Sequence, residues 1–386
     1  MTGGIPRDAT TTVKGAQHMP QVANSLPGQP RIKQVYNVFY LDGRIRVDGG
    51  TACAFEIEDP DGRYTQLLML LDGTRTIAEV EAALSGRFGP GEVIEGLTVL
   101  EENSFLEDAA GEVPAELTDR DVERYAPNLN FFRFIAAPGE SCYVPQAKLK
   151  QARVTVIGMG GIGSNVCLAL AELGVGHIRA VDFDRVELSN LNRQVLYSTP
   201  AIGQLKADVA AQRMQDFNPD IEFVTDQRRV ASLADMAGIV DGDRPDFLFC
   251  LADKPMGYID FWANEVCVPR GVPFAAASIA SPVGTAYSVL PGSGPCYQCR
   301  VDSELAAEPQ LAEELEYVRQ HEVRGKNGAL GPACMMLAYF LSYEFLRHRL
   351  GLCPLLTESK IFEIDFVTFT QQWHDFSRRP GCPVCG

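Results

Sequence analysis

The chain has 386 residues, 46% of them apolar, enough for two or three domains with substantial cores. Its 34 Lys and Arg stand against 50 Asp and Glu, and the resulting formal charge of −16 argues against a partner held by its phosphate backbone, so no nucleic acid is expected. No apolar run approaches the roughly 18 residues of a membrane span, so no membrane association is expected either. Residues 1–30 mix Thr, Gly, Pro and Gln and read as a flexible arm without the hydrophobic segment of a secretory signal. With no export signal, the eleven cysteines point to a cytoplasmic protein whose thiols are reduced or bind metal, rather than to disulfides.

Residues 31–117 form the first folded segment. "RIRVDGG" and "ACAFEIEDP" read as short strands about a Gly turn. "YTQLLMLLDG", "TIAEVEAALSGRF" and "GEVIEGLTVLEENSFLED" each carry helical apolar spacing in whole or part. Thr76 is a candidate N-cap, and Glu79 completes a capping box. Strands followed by three short helices describe a small α+β winged-helix domain. Such domains often read DNA, but Phe88 to Thr118 contains no Lys or Arg and six Asp and Glu crowd residues 92–108, so phosphates would be repelled. An extended peptide added to an exposed strand edge is the better partner. "LLMLLDGTRTIAEVEAAL" followed by "LTVLEENSFLED" resembles the PqqD-like domains, the leader-peptide recognition elements of enzymes that modify ribosomal peptides.

Residues 118–386 alternate strands and helices, which implies a doubly wound, mostly parallel Rossmann-like α/β sheet. Val154–Ile157 is a β-branched strand, "GMGGIG" follows, and Asn165–Leu173 is a helix ended by Gly174. Gly158, Gly160, Gly161 and Gly163 let backbone N–H groups approach a phosphate or ribose. Asp182 closes the second strand where an acidic side chain meets a ribose hydroxyl. To this point a dehydrogenase fits as well. Arg193 and Lys206 break the tie, because a nicotinamide enzyme needs no such pair of fixed cations. Cleaving ATP between its α- and β-phosphates does, since charge builds on the transferring phosphoryl and the departing pyrophosphate. Asp253, just past the strand "FLFCLAD", can hold Mg²⁺ against the phosphates.

"GMGGIG", "DFDRVELSNLNRQ", "GQLKAD" and "LADK" occur in the order of the ThiF–MoeB–HesA superfamily of adenylating enzymes, which this part of the chain resembles. The resemblance implies that Gly161 and Asp182 contact the adenosine and that Ser189, Asn190, Leu191, Asn192 and Arg193 line the nucleotide. Asp184 and Lys254 fall within the same motifs. Arg193 and Lys206 would grip phosphates, and Asp253 would bind magnesium. The resemblance also implies a homodimer with shared active sites. One departure stands out: "RYAPNLNFF" puts Pro127 where the family's Arg-Tyr-x-Arg element has its second Arg, leaving Arg124 or Arg133 as substitutes.

"CYQC" and "CPVC" place Cys296, Cys299, Cys382 and Cys385 as two pairs able to close one tetrahedral zinc site, structural because no position is left open. Two redox pairs are the alternative, each wanting a helix start beside it. No cysteine lies between Cys299 and Cys334, so a covalent thioester is not expected, and Cys334 and Cys353 read as buried helix neighbours. Cys167, Cys250 and Cys267 should pack in the core. The fused arrangement is similar to the MccB-like and PaaA-like members of the superfamily. It implies ATP-dependent adenylation of a carboxylate on a ribosomally synthesised precursor peptide. A sulfur-carrier adenylyltransferase is the alternative, and a leader-binding scaffold for a separate cyclodehydratase is another.

Overall fold

A computed structural model of the chain describes residues 26–48, 54–321 and 328–386. Most of the expected arm, Cys53, and part of the acidic segment before Cys334 lie outside the described residues. The chain divides into two compact units, Met1–Ala147 and Lys148–Gly386.

In the first unit, β1 (Pro30–Ile32), β2 (Asn37–Leu41), β3 (Arg44–Asp48) and β4 (Ala54–Glu58) precede α1 (Arg63–Leu70), α2 (Ile77–Leu84), α3 (Glu92–Glu102) and β5 (Leu106–Asp108). β2, β3 and β4 form an antiparallel sheet in that order, and β1 pairs with β5. The sheet's inner face supplies Ile45 and Val47, which pack with Leu67, Val80, Leu97 and Phe105 into one core. The capping box at α2 is present: Glu79 N donates to Thr76 Oγ1 at 3.4 Å, and Thr76 N donates to Glu79 Oε2 at 2.8 Å. The third helical segment is helical only to Glu102, and its "LED" end is instead β5, which holds Arg31 by Glu107 at 2.9 Å.

The helices α4 (Asp119–Arg124), α5 (Ala126–Ile135) and most of α6 (Tyr143–Lys150) belong to this first unit. The compact division thus falls some thirty residues beyond 117, where composition had suggested it. Three contacts explain this. Arg133 Nε donates to Glu107 Oε2 at 2.6 Å, Lys33 Nζ donates to the Ala136 carbonyl at 3.0 Å, and Tyr36 meets Phe134 at 5.7 Å. Lys33 is itself buried, and burial lowers its ammonium pKa to about 8.

The second unit runs β6 (Arg153–Ile157), α7 (Gly161–Leu173), β7 (His177–Val181), α8 (Lys206–Phe217), β8 (Glu222–Asp226), α9 (Leu233–Asp243), β9 (Phe247–Cys250), α10 (Ile259–Cys267), β10 (Phe274–Ala280), β11 (Val283–Val289), α11 (Tyr297–Ala307), α12 (Leu311–Gln320), α13 (Gly331–Leu350), β12 (Lys360–Asp365) and β13 (Gln371–Asp375). One sheet of eight strands has the order β13-β12-β11-β10-β9-β6-β7-β8. β10, β9, β6, β7 and β8 are mutually parallel, and β11, β12 and β13 extend the sheet antiparallel. This is the doubly wound α/β architecture expected.

Parallel strands are covered on both faces and so read as unbroken apolar runs. β9 shows why: all four of its residues are buried. Phe247 and Phe249 turn to Phe345 of α13, at 5.4 and 6.2 Å, while Leu248 and Cys250 join Met236, Ile239, Ile259 and Ala263 of α9 and α10. Cys167, Cys250, Cys267 and Cys334 are buried as expected, but Cys353 is exposed because α13 ends at Gly351 and the chain turns outward. No helix among the described residues is long and apolar enough to cross a membrane.

Candidate nucleotide site and cysteine cluster

The carboxyl ends of β6, β7 and β9 lie side by side, joined by Gly158 N to the Val181 carbonyl at 2.8 Å and Leu251 N to the Ile157 carbonyl at 2.8 Å. Gly158 has φ 91°, and a Cβ there would lie 2.6 Å from Ala252 N, so only glycine lets the β6 loop meet the loop after β9. Gly163, in the first turn of α7, faces the Gly158 carbonyl so closely that any Cβ would collide with it. We expect Gly163→Ala to destabilise the chain by about 1–3 kcal/mol, read by urea denaturation with unchanged m-value. Nothing lies near the position of a Cβ on Gly160, which leaves the loop's crown open beside the N-terminus of α7. That helix end presents N–H groups and the positive end of its dipole.

Asp182 follows β7 and is only 7% exposed. One carboxylate oxygen accepts Met159 N at 2.7 Å and the other accepts Asp184 N at 2.8 Å, so the side chain also holds the glycine loop. Burial pushes its carboxyl pKa up, against the pull of Lys206. Lys206 opens α8, is buried, and reaches Asp184 Oδ2 at 3.1 Å and Asp182 Oδ2 at 4.0 Å. An ammonium poised between two carboxylates is positioned without a rotamer search and can turn to a phosphate.

Arg193 Nη1 donates to the Ser189 carbonyl and to Asn192 Oδ1, both at 2.8 Å. Its remaining guanidinium N–H groups bond no described residue, which leaves them for an anion. Its Cδ lies 3.1 Å from the position of a Cβ on Gly161, so the cation and the glycine loop share one crevice. Asn190 is buried and its Oδ1 accepts Glu187 N at 3.0 Å, so it shapes the turn that carries Arg193. Ser189 and Asn192 are exposed and Leu191 half-buried. Asp253 and Lys254 are exposed, and Asp253 makes no hydrogen bond or ion pair among the described residues. An unpartnered carboxylate at a strand's carboxyl end fits what a magnesium ion bridging phosphates requires.

Arg133, one of the two arginines considered in place of Pro127, is committed elsewhere, to Glu107 and to Asn130 Oδ1 at 2.7 Å. Sequence reasoning missed the roof of the crevice. α13 begins with Gly331, where a Cβ would lie 2.7 Å from the Asn192 carbonyl, and Cys334 Sγ lies 2.7 Å from the position of a Cβ on Gly161. Asn192 Nδ2 also donates to the Ala329 carbonyl at 3.2 Å. The small residues of "GALGPAC" were the available signal. Asn165 was missed as well: its Nδ2 ties the Gly161 carbonyl at 2.6 Å to the Arg193 carbonyl at 3.0 Å.

Cys296, Cys299, Cys382 and Cys385 bring their sulfurs within 4.8 Å of one another. Cys296 lies 3.6 Å from Cys382 and 3.9 Å from Cys299, and Cys299 lies 3.6 Å from Cys385. A tetrahedron with zinc–sulfur bonds of about 2.3 Å has edges of about 3.8 Å, so the donor set fits this ion. Arg379 N donates to Cys299 Sγ at 3.3 Å, the kind of outer contact that steadies a thiolate.

The ThiF family model matches residues 125–384. The chain is 29% identical to the sulfur carrier protein ThiS adenylyltransferase of Escherichia coli, over 70% of this chain and 97% of that protein. The crystal structure of E. coli MccB with AMPCPP and MccA has the same fold, with a TM-score of 0.70, 21% identity, and coverage of 92% of this chain and 99% of that one. The structure of PaaA superposes equally well, with a TM-score of 0.70, 22% identity, and 90% and 100% of the two chains covered. The glycine loop, its acidic strand end, the paired cations and the family match lead to one conclusion: this chain belongs to the ThiF family and has the fold of its ATP-dependent adenylyltransferases.

Proposed function

We propose that the protein activates a carboxylate on a ribosomally made precursor peptide by adenylation with ATP. In this reading the peptide's carboxylate oxygen attacks the α-phosphorus as the bond to the bridging oxygen of the β-phosphate breaks. Pyrophosphate leaves with the electron pair, and an acyl-adenylate remains for an amide nitrogen, another side chain or water to capture. The glycine loop and α7 hold the nucleotide, Asp182 orients the ribose, and Arg193 and Lys206 offset the charge developing on the phosphates. Magnesium held by Asp253 would neutralise the departing pyrophosphate. The four cysteines would hold zinc, a closed site with a structural role. A homodimer accompanies this reading, with a cross-subunit cation drawn from a residue other than Arg133, which is bound to Glu107.

The observation that favours a peptide is a strand whose outer edge has no neighbour among the described residues. β2 lies at the edge of its sheet and carries Phe39, Tyr40 and Leu41, all more than 40% exposed. An apolar edge of this kind invites an added strand, and an enzyme must either shield it or use it. A carrier-protein activator has no need for such a unit. The Phe39→Asp, Leu41→Asp double variant should weaken leader binding by about tenfold or more, read by fluorescence anisotropy of a labelled leader. ATP affinity, read by calorimetry, should not change. Equal leader affinity in both proteins would exclude β2 as the docking edge.

A further inference from the structure

The loop that carries Asp253 is thinly held. Asp253 and Lys254 are exposed, and the loop rejoins α10 through Tyr258 N and Ile259 N, which donate to the Pro255 carbonyl at 3.2 and 3.1 Å. Tyr258 stacks on Trp262 at 5.5 Å, and a further anchor comes from α12, a surface helix with no buried residue. Arg319 Nε donates to the Gly257 carbonyl at 3.0 Å. The same guanidinium lies 5.2 Å from the Tyr258 ring centre and 4.8 Å from that of Phe261. Gly257 has φ 75°, and the space of its missing Cβ is filled by Arg319 Cγ, Val318 Cγ2 and Leu315 Cδ1, at 3.2, 3.2 and 3.3 Å. α12 is thus fitted to a bare backbone four residues from the carboxylate.

We propose that Arg319 is a positioning residue for the loop bearing Asp253, fixing that carboxylate where it meets the nucleotide's magnesium. The inference rests on the reading of Asp253 given above. A helix with nothing buried holds its place by few contacts, so a side chain that both donates to the loop and caps two rings carries much of the docking. Groups that orient a metal ligand from outside its coordination sphere typically change metal affinity by 10–100-fold.

The test uses the full chain without peptide or turnover, comparing Arg319→Ala, Arg319→Lys and Asp253→Ala with the unsubstituted protein. Amide hydrogen exchange is read at Tyr258 and Ile259 in the free protein, and ATP binding by calorimetry with magnesium and with EDTA. Arg319→Ala should speed exchange at those two amides and weaken the magnesium-dependent part of ATP binding about tenfold. Arg319→Lys, which can still donate to the Gly257 carbonyl, should recover part of both. Unchanged exchange at Tyr258 and Ile259, unchanged magnesium dependence, or exchange raised equally through β6 and β9 would each overturn the proposal. Absence of magnesium-dependent ATP binding in the unsubstituted protein would instead overturn the assignment of Asp253, and it would be seen before any variant is made. A missing peptide reaction leaves these readouts intact.

Discussion

Asp253→Asn should lower pyrophosphate release by about 100–1,000-fold, equivalent to about 3–4 kcal/mol of lost transition-state stabilisation. The substitution keeps the shape of the side chain and removes its charge, and the native carboxylate has no partner among the described residues that would be orphaned. The fold should therefore survive, and the thermal midpoint should stay within a degree or two, as surface changes of less than about 0.5 kcal/mol allow. Leader affinity should also be unaffected, because the proposed docking edge is β2 and not the loop that carries Asp253. A variant that turns over as the native protein does would remove Asp253 from the phosphate chemistry. A variant that loses leader binding in parallel would show a folding defect.

Loss of the cysteine cluster should act on stability and not on chemistry. Cys382→Ser opens a four-sulfur site that ties the chain's last residues to α11 through Cys296 and Cys299. Elemental analysis should find about one zinc per native chain and much less than one in the variant. Removing a structural metal belongs to the small class of changes costing more than about 4 kcal/mol. At about 2–4 °C per kcal/mol for a unit of this size, the melting midpoint should drop by about 10 °C. EDTA should reproduce the shift in the native protein and do nothing further to the variant. Native protein that is free of zinc and equally stable to chelator would show that the sulfurs meet without a metal.

How much of this was legible depended on the range of the forces involved. The glycine loop, the Thr76–Glu79 box and the paired Cys-x-x-Cys turns are local devices, each complete within a few residues, and each stands where its sequence put it. β1 and β5 are three residues long and exist only through pairing across 76 positions, so no local pattern announced them. β2 was missed because "NVFYL" does not alternate: only Val38 packs against the core, and Phe39, Tyr40 and Leu41 stay exposed. The compact division after Ala147 differs from the composition shift near 117 because Arg133 and Lys33 tie α5 to the first unit by ion pairing and hydrogen bonding that composition does not register. In the nucleotide site, Asp182, Arg193 and Lys206 were readable as types in order. Their geometry depends on Asn165, Cys334 and Gly331, contacts made across more than a hundred residues of chain in the last two cases. Arg319 illustrates the same limit, since its meaning lies in the Gly257 carbonyl 62 positions away.

The most direct measurement is exchange of labelled pyrophosphate into ATP by the purified full chain, with magnesium, in the presence of candidate acyl donors. Exchange that requires a precursor peptide with its leader, and that falls in the Phe39→Asp, Leu41→Asp variant, is the predicted result. Exchange driven instead by a sulfur carrier protein ending in Gly-Gly, or no exchange with any peptide, would contradict it.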